Sequence, residues 1–298
     1  MGTERVDKNW HTKGIERYSV AAIIGSLEHY GVPLTEASFL ELTKEDFPLT
    51  IAMGWHEHWK GTGQFSRFPA AAAEELWRRL KGGELAPTDL ALALVNLLTT
   101  LDAVLAAKPD DGTLEARFKI VEGYLLRVPE PGDRREKFMA EMVGAIGEWL
   151  EVLDGMGEAL AKKKHDALAD RFAAFEEKLF PVREGTATAL VKAAKGDVEG
   201  ALVDIVALAG DQKKDDFARL SAIDALFQYE RYEDARRFTL ELVDRAEKDK
   251  DVDLASETVE RLTQLLRLDP KRGDRNELRA RVEQLSRVLE GSREEEAG

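Results

Sequence analysis

Two stretches decide the fold, Gly196-Asp197-Val198-Glu199-Gly200-Ala201 and Glu230-Arg231-Tyr232-Glu233-Asp234-Ala235. They share one pattern and lie 34 residues apart. A period of about 34 residues is typical of helix–turn–helix repeats, and each stretch has the pattern of the turn and the start of the second helix. The sequence therefore predicts helical hairpins that pack side by side.

Composition extends the helical prediction to the rest of the chain. Ala, Leu, Glu, Arg and Lys predominate, and the 298 residues include only nine prolines. These residue types favour helix, and no stretch alternates apolar and polar residues for long enough to indicate a strand. The predicted fold class is all-α, with stacked antiparallel helical hairpins of the α-solenoid or helical-bundle type and no sheet.

Breaks in the helical pattern suggest how the chain is divided. The clearest break is the run Pro129-Glu130-Pro131-Gly132-Asp133. The predicted parts are an N-terminal helical domain at 1–128 with an irregular Trp-, His- and Gly-rich loop at 54–67, connecting long helices at 129–182, a helical-repeat module at 183–290, and an acidic disordered tail at 291–298.

Individual helix ends are predicted from capping residues and glycines. A first helix is expected from Gly14 to Tyr30, and Thr35 and Thr43 have the pattern of N-caps of two short helices. Helical spacing is lost between 54 and 67, where three glycines occur in ten residues. Asp154-Gly155-Met156-Gly157 is expected to separate two long helices.

Residues 184–249 resemble tetratricopeptide repeats, a family of helical hairpins. Ala201 and Ala235 take the position where that family places a small residue for close helix packing. Tyr232 takes the aromatic position before the second of these alanines. The resemblance implies a groove that binds a peptide or the surface of another protein.

The sequence also departs from the family pattern. The tryptophan and glycine positions of the first helix correspond to Arg219 and Ile223 in the second unit. Leu265 to Pro270 resembles the end of a further repeat, but it is out of phase and puts Thr258 at the small-residue position. The resemblance therefore covers at most about a third of the chain.

Charge and composition limit the classes of partner and compartment. The net charge of −14 repels a phosphate backbone and anionic lipid. The most basic stretch, Arg267 to Arg281, is interrupted by three acidic residues. The chain has no cysteine, which suits a reducing compartment, and its apolar run Val20 to Ile24 is too short for a signal peptide. We expect a cytoplasmic protein whose partner is another protein and not a nucleic acid.

The strongest apolar segment runs from Leu90 to Ala107, before a turn expected at 109–112. Asp102 interrupts it, and the uncharged part is too short to span a bilayer. The segment is predicted to be a buried core helix of a soluble protein, without membrane insertion.

The loop Trp55–Phe65 is the one place where the sequence suggests a ligand site. Four of the five histidines and four of the five tryptophans occur in the first 77 residues. Apolar walls with a few polar groups are what a ligand pocket needs. The same composition also fits tryptophans that anchor an irregular loop while its polar groups face water. The candidate ligand-binding residues are Trp55, His56, His58, Trp59, Lys60 and Gln64.

Specific chemistries receive little support from this loop. His56 and His58 are two residues apart and would point to different sides of a helix, and no second ligand pair with zinc spacing occurs. Trp59 replaces the glycine that a phosphate loop needs before Lys60. No Gly-x-Ser-x-Gly sequence is present either. We therefore assign no metal, cofactor or catalytic residue.

Three functions remain open at this point. The leading interpretation is a non-catalytic adaptor or scaffold that binds a protein partner through stacked hairpins. The alternative is an enzyme or a small-ligand receptor with its pocket at the Trp55–Phe65 loop. A third possibility is a subunit or inhibitor within a larger protein assembly.

Overall fold

A computed structural model describes residues 5–107, 113–268 and 275–296. Within these ranges the chain forms sixteen α-helices, three short 3₁₀ helices and no strand. The predicted all-α fold class is therefore confirmed. The expected turn at 109–112 lies outside the described residues, as does part of the repeat end predicted at 265–270.

The chain divides into two compact units, Met1–Asp154 and Gly155–Gly298. The long helices predicted at 129–182 are thus shared between the units. The helices of the first unit are α1 (Trp10–Lys13), α2 (Val20–His29), α3 (Glu36–Leu42), α4 (Pro48–His56), α5 (Phe68–Leu80), α6 (Pro87–Leu105), α7 (Leu114–Leu125) and α8 (Asp133–Ile146). Helix α9 (Trp149–Lys162) begins in the first unit and continues into the second.

The centre of the first unit is α6, which packs against α7 and α8. Its inward positions are fully buried leucines at helical spacing: Leu90, Leu94, Leu97, Leu98 and Leu101. Among the described residues, α6 is the one helix whose length and composition would let it cross a membrane, a test that buried core helices also pass. Its packing inside the unit agrees with the predicted core helix.

Two predicted helix starts in the first unit are wrong. The helix expected from Gly14 to Tyr30 is divided, because Gly14 has φ 87° and Ser19 caps α2 by accepting a hydrogen bond from the backbone N–H of Ala22. Thr35 caps α3 as predicted, but Thr43 ends that helix, and its hydroxyl donates to the Leu40 carbonyl at 2.8 Å.

A distant glutamate takes the place of the missing cap. The buried Glu141 carboxylate of α8 accepts from the backbone N–H groups of Leu49 and Thr50 at 2.7 and 3.1 Å, at the first turn of α4. It also accepts from the Thr50 hydroxyl at 3.0 Å. Helix starts leave free N–H groups that an acceptor must satisfy. Because this acceptor is about 90 residues away in the chain, local sequence gave no sign of it.

The break predicted at 154–157 is also wrong, because α9 runs through it. The chain turns earlier, at Gly147 with φ 60°, which ends α8. Gly157 instead serves packing, since a Cβ there would lie 3.0 Å from Val191 Cγ2 and 3.7 Å from Phe172 Cδ1. The glycine brings α9 close to the two helices that follow it.

The second unit continues as a regular succession of helices. They are α10 (Asp166–Leu179), α11 (Thr186–Ala194), α12 (Val198–Gly210), α13 (Asp216–Gln228), α14 (Tyr232–Asp249), α15 (Val252–Leu268) and α16 (Arg275–Glu296). Each packs against the next, and from α11 to α16 each also contacts the helix after that. This pattern is that of stacked hairpins, as predicted, and we call α9–α16 the helical array. The disordered tail predicted from 291 is helical to Glu296, since its arginine and glutamates favour helix.

Four turns of the helical array have the same geometry. Each contains a residue with positive φ, followed five residues later by a fully buried alanine: Lys164 and Ala169, Gly196 and Ala201, Glu230 and Ala235, Lys250 and Ala255. In each turn the next N–H donates to the carbonyl five residues before it, at 2.9 to 3.3 Å. This is the hydrogen bond of a Schellman motif. The repeat seen at Gly196 and Glu230 therefore recurs in two turns that the sequence pattern missed.

Candidate functional site

The loop predicted at 54–67 is partly helical. Helix α4 continues to His56, and only the part after it is irregular apart from a 3₁₀ turn at Gly63–Phe65. The helix extends because Trp55 is buried and packs against Phe39, with ring centroids 6.3 Å apart. The prediction that helical spacing is lost from Gly54 is therefore wrong by about one turn.

The second tryptophan of the loop anchors an aromatic cluster. Trp59 stacks on Phe68 at 6.0 Å and contacts Tyr30 at 5.1 Å, between ring centroids. Its indole N–H donates to the Phe65 carbonyl at 3.1 Å. The backbone N–H of Lys60 donates to the Tyr30 carbonyl at 2.8 Å. These contacts hold the irregular segment against α2 and α5.

The polar candidates of the loop point away from this cluster. The side chains of His56, His58, Lys60 and Gln64 are all exposed. Gln64 contributes its backbone carbonyl, which accepts from the Trp10 indole N–H at 3.1 Å. None of the six predicted ligand residues lines the cavities described below. The structure brings the two tryptophans into the packing of the loop and does not bring the four polar residues together.

A cavity of about 420 Å³ lies beside the loop, lined by Arg5, Val6, Lys8, Ser26, His29, Tyr30 and Phe65. The Ser26 hydroxyl accepts from the Val6 N–H at 2.8 Å and donates to the Ala22 carbonyl at 2.9 Å. Its hydrogen bonds are therefore used to attach the N-terminal segment to α2. Sequence reasoning missed this cavity, because its wall combines residues from three separate segments.

Two further cavities form one groove along α6. The first, of about 310 Å³, lies between α6 and α7, and the second, of about 270 Å³, continues toward α5. They share Asp89 and Tyr124. We call the first cavity the α6–α7 groove. The residues that mark it are large apolar side chains left exposed on both helices, a feature that only the packing of α6 reveals.

In the helical array, polar side chains of α9, α13 and α15 are hydrogen-bonded to one another. The Gln228 amide donates to the Glu158 carboxylate at 3.0 Å. One turn away on α13, Asp224 pairs with Arg261 at 2.5 Å, and Arg261 also pairs with Glu257 at 2.7 Å. We call these five residues the polar row. It ties together helices that belong to different hairpins.

The polar row is electrostatically acidic. Burial raises the pKa of Asp224, while the Arg261 guanidinium opposes that rise and the charges of Glu257 and Glu260 add to it. Glu158 has Lys162 as its cation, at 3.4 Å. Carboxylates outnumber cations along these helices, so the surface favours positively charged groups.

Among the described residues, no group of three or more His, Asp or Glu side chains is placed to hold a metal ion. In comparisons with family models, with curated proteins and with solved structures, the chain has no match. The functional argument therefore depends on the surfaces of the two units themselves.

Proposed function

We propose that the protein is an adaptor or scaffold that binds another protein through the helical array. The observation that carries this proposal is the contact of each helix from α11 to α16 with both the next helix and the one after it. Stacked hairpins of this kind create extended surfaces lined by equivalent helices, and such surfaces serve as binding faces in solenoid proteins. The tetratricopeptide resemblance of residues 184–249 supports the same proposal.

The polar row is the face that we assign to the partner. It spans α9, α13 and α15, and Gln228 and Asp224 leave much of their side chains exposed. Its acidic character calls for Lys or Arg on the partner, because complementary charges steer association and fix register. The acidic, cysteine-free composition suits a reducing compartment, so we place this activity in the cytoplasm.

The test uses two charge reversals of equal size. Glu260 is exposed, and its charge acts on Asp224 of the polar row, whereas Glu199 is exposed at the start of α12. Affinity purification from the native host, with quantitative mass spectrometry, compares the wild type with Glu260→Lys and Glu199→Lys. We expect the Glu260→Lys variant to recover the partner about fivefold less well, equivalent to about 1 kcal/mol.

The control variant should recover the partner as the wild type does, and recovery should fall as salt is raised, because exposed charges are screened. Equal recovery with both variants would place the partner elsewhere on the surface. Absence of any specifically recovered protein would remove the adaptor proposal.

A further inference from the structure

The α6–α7 groove follows two antiparallel helices for about two turns. On α6 its wall is Asp89, Leu92, Ala93 and Asn96, and on α7 it is Arg117, Ile120 and Tyr124. The spacings of three, four and seven residues put each set on one face of its helix. Seven residues of helix span about 10 Å, so the groove is long and narrow.

Both rims of the groove are apolar and unusually exposed. Leu92 of α6 is 63% exposed and Ile120 of α7 is 49% exposed. The neighbouring Ala93, Phe118 and Val121 are buried and form the contact between the two helices. An open groove with a rim on each side is covered well by an element that lies along it. A third helix satisfies this requirement, because helices pack into one another's grooves at about 8–10 Å.

One end of the groove carries two carboxylates. Glu74 and Asp89 line the adjoining cavity, and neither forms an ion pair with any described residue. Burial raises the pKa of Glu74, and the charge of Asp89 adds to this rise although Arg78 opposes it. A cation brought to this end would stabilise both carboxylates.

The remaining charges near these carboxylates have partners of their own. Arg78 pairs with Glu75. Glu84 pairs with Lys81 at 2.8 Å and with Arg134 at 3.4 Å. Arg127 donates to the Gly83 carbonyl and lies 5.7 Å from the centre of the Tyr124 ring. Glu74 and Asp89 are therefore the acidic groups at this end that no described side chain neutralises.

The opposite end of the groove is cationic. The Arg117 guanidinium donates to the Asn96 carbonyl and to the Thr100 hydroxyl, both uncharged acceptors. Within the described part of the chain it forms no ion pair. The groove thus has an apolar centre between an acidic end and a basic end.

We propose that the α6–α7 groove binds an amphipathic helix of a partner protein. That helix carries apolar residues three or four positions apart, which fill the space between Leu92 and Ile120. It carries Lys or Arg at the end that faces Glu74 and Asp89, and Asp or Glu about two turns away, facing Arg117. This surface belongs to the first unit and is separate from the helical array, so it goes beyond the proposed function.

The test is a selection from a displayed library of helices about 18 residues long with one randomised face, carried out on the full-length protein. We expect enriched sequences with the apolar spacing and the two charges described above. The affinity of an enriched peptide, measured by fluorescence polarisation, should fall at least about tenfold for Leu92→Ser, because the apolar contact supplies most of the free energy. The matched control is Leu126→Ser, since Leu126 is 88% exposed and does not line the groove.

Charge exchange identifies the orientation and separates this groove from other apolar patches. Arg117→Glu should weaken the peptide, and replacing the acidic residue of the peptide by Lys should restore at least half of the lost factor. Asp89→Lys should respond in the same way to an acidic replacement of the basic residue. Circular dichroism confirms that each variant is folded before binding is compared.

Three results would overturn the proposal. The library yields no enriched helix; or the enriched helices bind wild type and Leu92→Ser equally; or the charge exchanges give no recovery. Sedimentation of the protein alone adds a fourth. If the wild type self-associates and Leu92→Ser does not, the occupant is a second copy of the chain and not a partner helix.

Discussion

Glu230 lies 34 residues after Gly196 and takes the same place in its turn, with φ 58° where the glycine has 111°. In both turns the following N–H donates to a carbonyl five residues earlier, from Asp197 to Lys192 and from Arg231 to Leu226. A left-handed conformation costs a residue with a Cβ about 1–2 kcal/mol. The second turn therefore keeps its geometry against a local preference, which means that the packing of α13 on α14 imposes it.

This relationship predicts that Glu230→Gly stabilises the second unit. The strain is removed, while the greater freedom of glycine in the unfolded chain takes back part of the gain. We expect the free energy of unfolding to rise by about 0.5–1 kcal/mol, measured by urea denaturation. Glu260→Gly is the control, because the same substitution inside α15 should lower it by about 1 kcal/mol. Equal losses in both variants would mean that Glu230 carries no strain.

The second prediction concerns the small residue that follows each turn. Ala235 is fully buried in the first turn of α14, so Ala235→Phe should overpack the core and lower the free energy of unfolding by about 1–3 kcal/mol. Val203→Phe, at a largely exposed position of α12, should stay within about 0.5 kcal/mol of the wild type. Unchanged thermal stability in Ala235→Phe would remove the repeat interpretation of this segment.

These turns show which part of the fold sequence can predict. The helices and the turns at Gly196 and Glu230 follow from local patterns, since capping, glycine and helical spacing act within a few residues. Lys164 and Lys250 were missed because a lysine takes the positive φ and the spacing is 32 and 20 residues from the turns recognised. A local pattern thus finds a repeat only where its residues repeat as well as its geometry.

The candidate surfaces could not be predicted in the same way. The cap of α4 comes from Glu141, about 90 residues away. The α6–α7 groove exists because Leu92 and Ile120 are left outside when the other apolar residues of their helices are buried. Such features depend on which faces meet in three dimensions, and sequence spacing alone does not specify this.

The third prediction concerns the buried arginine at the family's tryptophan position. Arg219 is 2% exposed, and its guanidinium donates to the Ala209 carbonyl of α12 at 2.9 Å and to Glu241 of α14 at 3.0 Å. Asp216 lies 3.6 Å away on its own helix. Arg219→Lys should lower the free energy of unfolding by about 1–3 kcal/mol, because a single ammonium cannot reproduce the planar set of donors.

The control for this prediction is Glu241→Ala. Glu241 is exposed, and a solvent-screened pair contributes at most about 1 kcal/mol. Its removal should therefore cost clearly less than Arg219→Lys in the same urea titration. Equal costs would mean that the exposed pair, and not the buried bond to α12, holds Arg219 in place.

The fourth prediction concerns pH. Burial raises the pKa of Glu176 to about 8, and the charges of Glu177 and Glu158 act in the same direction. Nη1 of Arg183 lies 2.8 Å from its Oε1 and opposes the rise. Because the folded-state pKa lies above the ordinary value of 4.5, the contribution of this group to stability is complete below pH 4.5 and is lost as the pH rises through about 8.

Glu176→Gln removes this titration. Its free energy of unfolding should match that of the wild type near pH 5 and exceed it by about 1 kcal/mol or more near pH 8.5. Glu199→Gln, at an exposed site, should follow the wild type throughout. A loss in Glu176→Gln that is the same at both pH values would instead indicate a permanently charged carboxylate held by Arg183.

The last prediction separates the two interpretations of the Trp55–Phe65 loop. Trp59 packs on Phe68 and donates to the Phe65 carbonyl, so Trp59→Ala should lower the free energy of unfolding by about 3–5 kcal/mol. His58→Ala and Gln64→Ala should stay within about 0.5 kcal/mol, because both side chains are exposed and Gln64 keeps its backbone bond to Trp10. A polar substitution that abolishes function in the native host while leaving the melting curve unchanged would contradict the anchoring role and make the loop a binding site, since functional residues are often retained at the expense of stability.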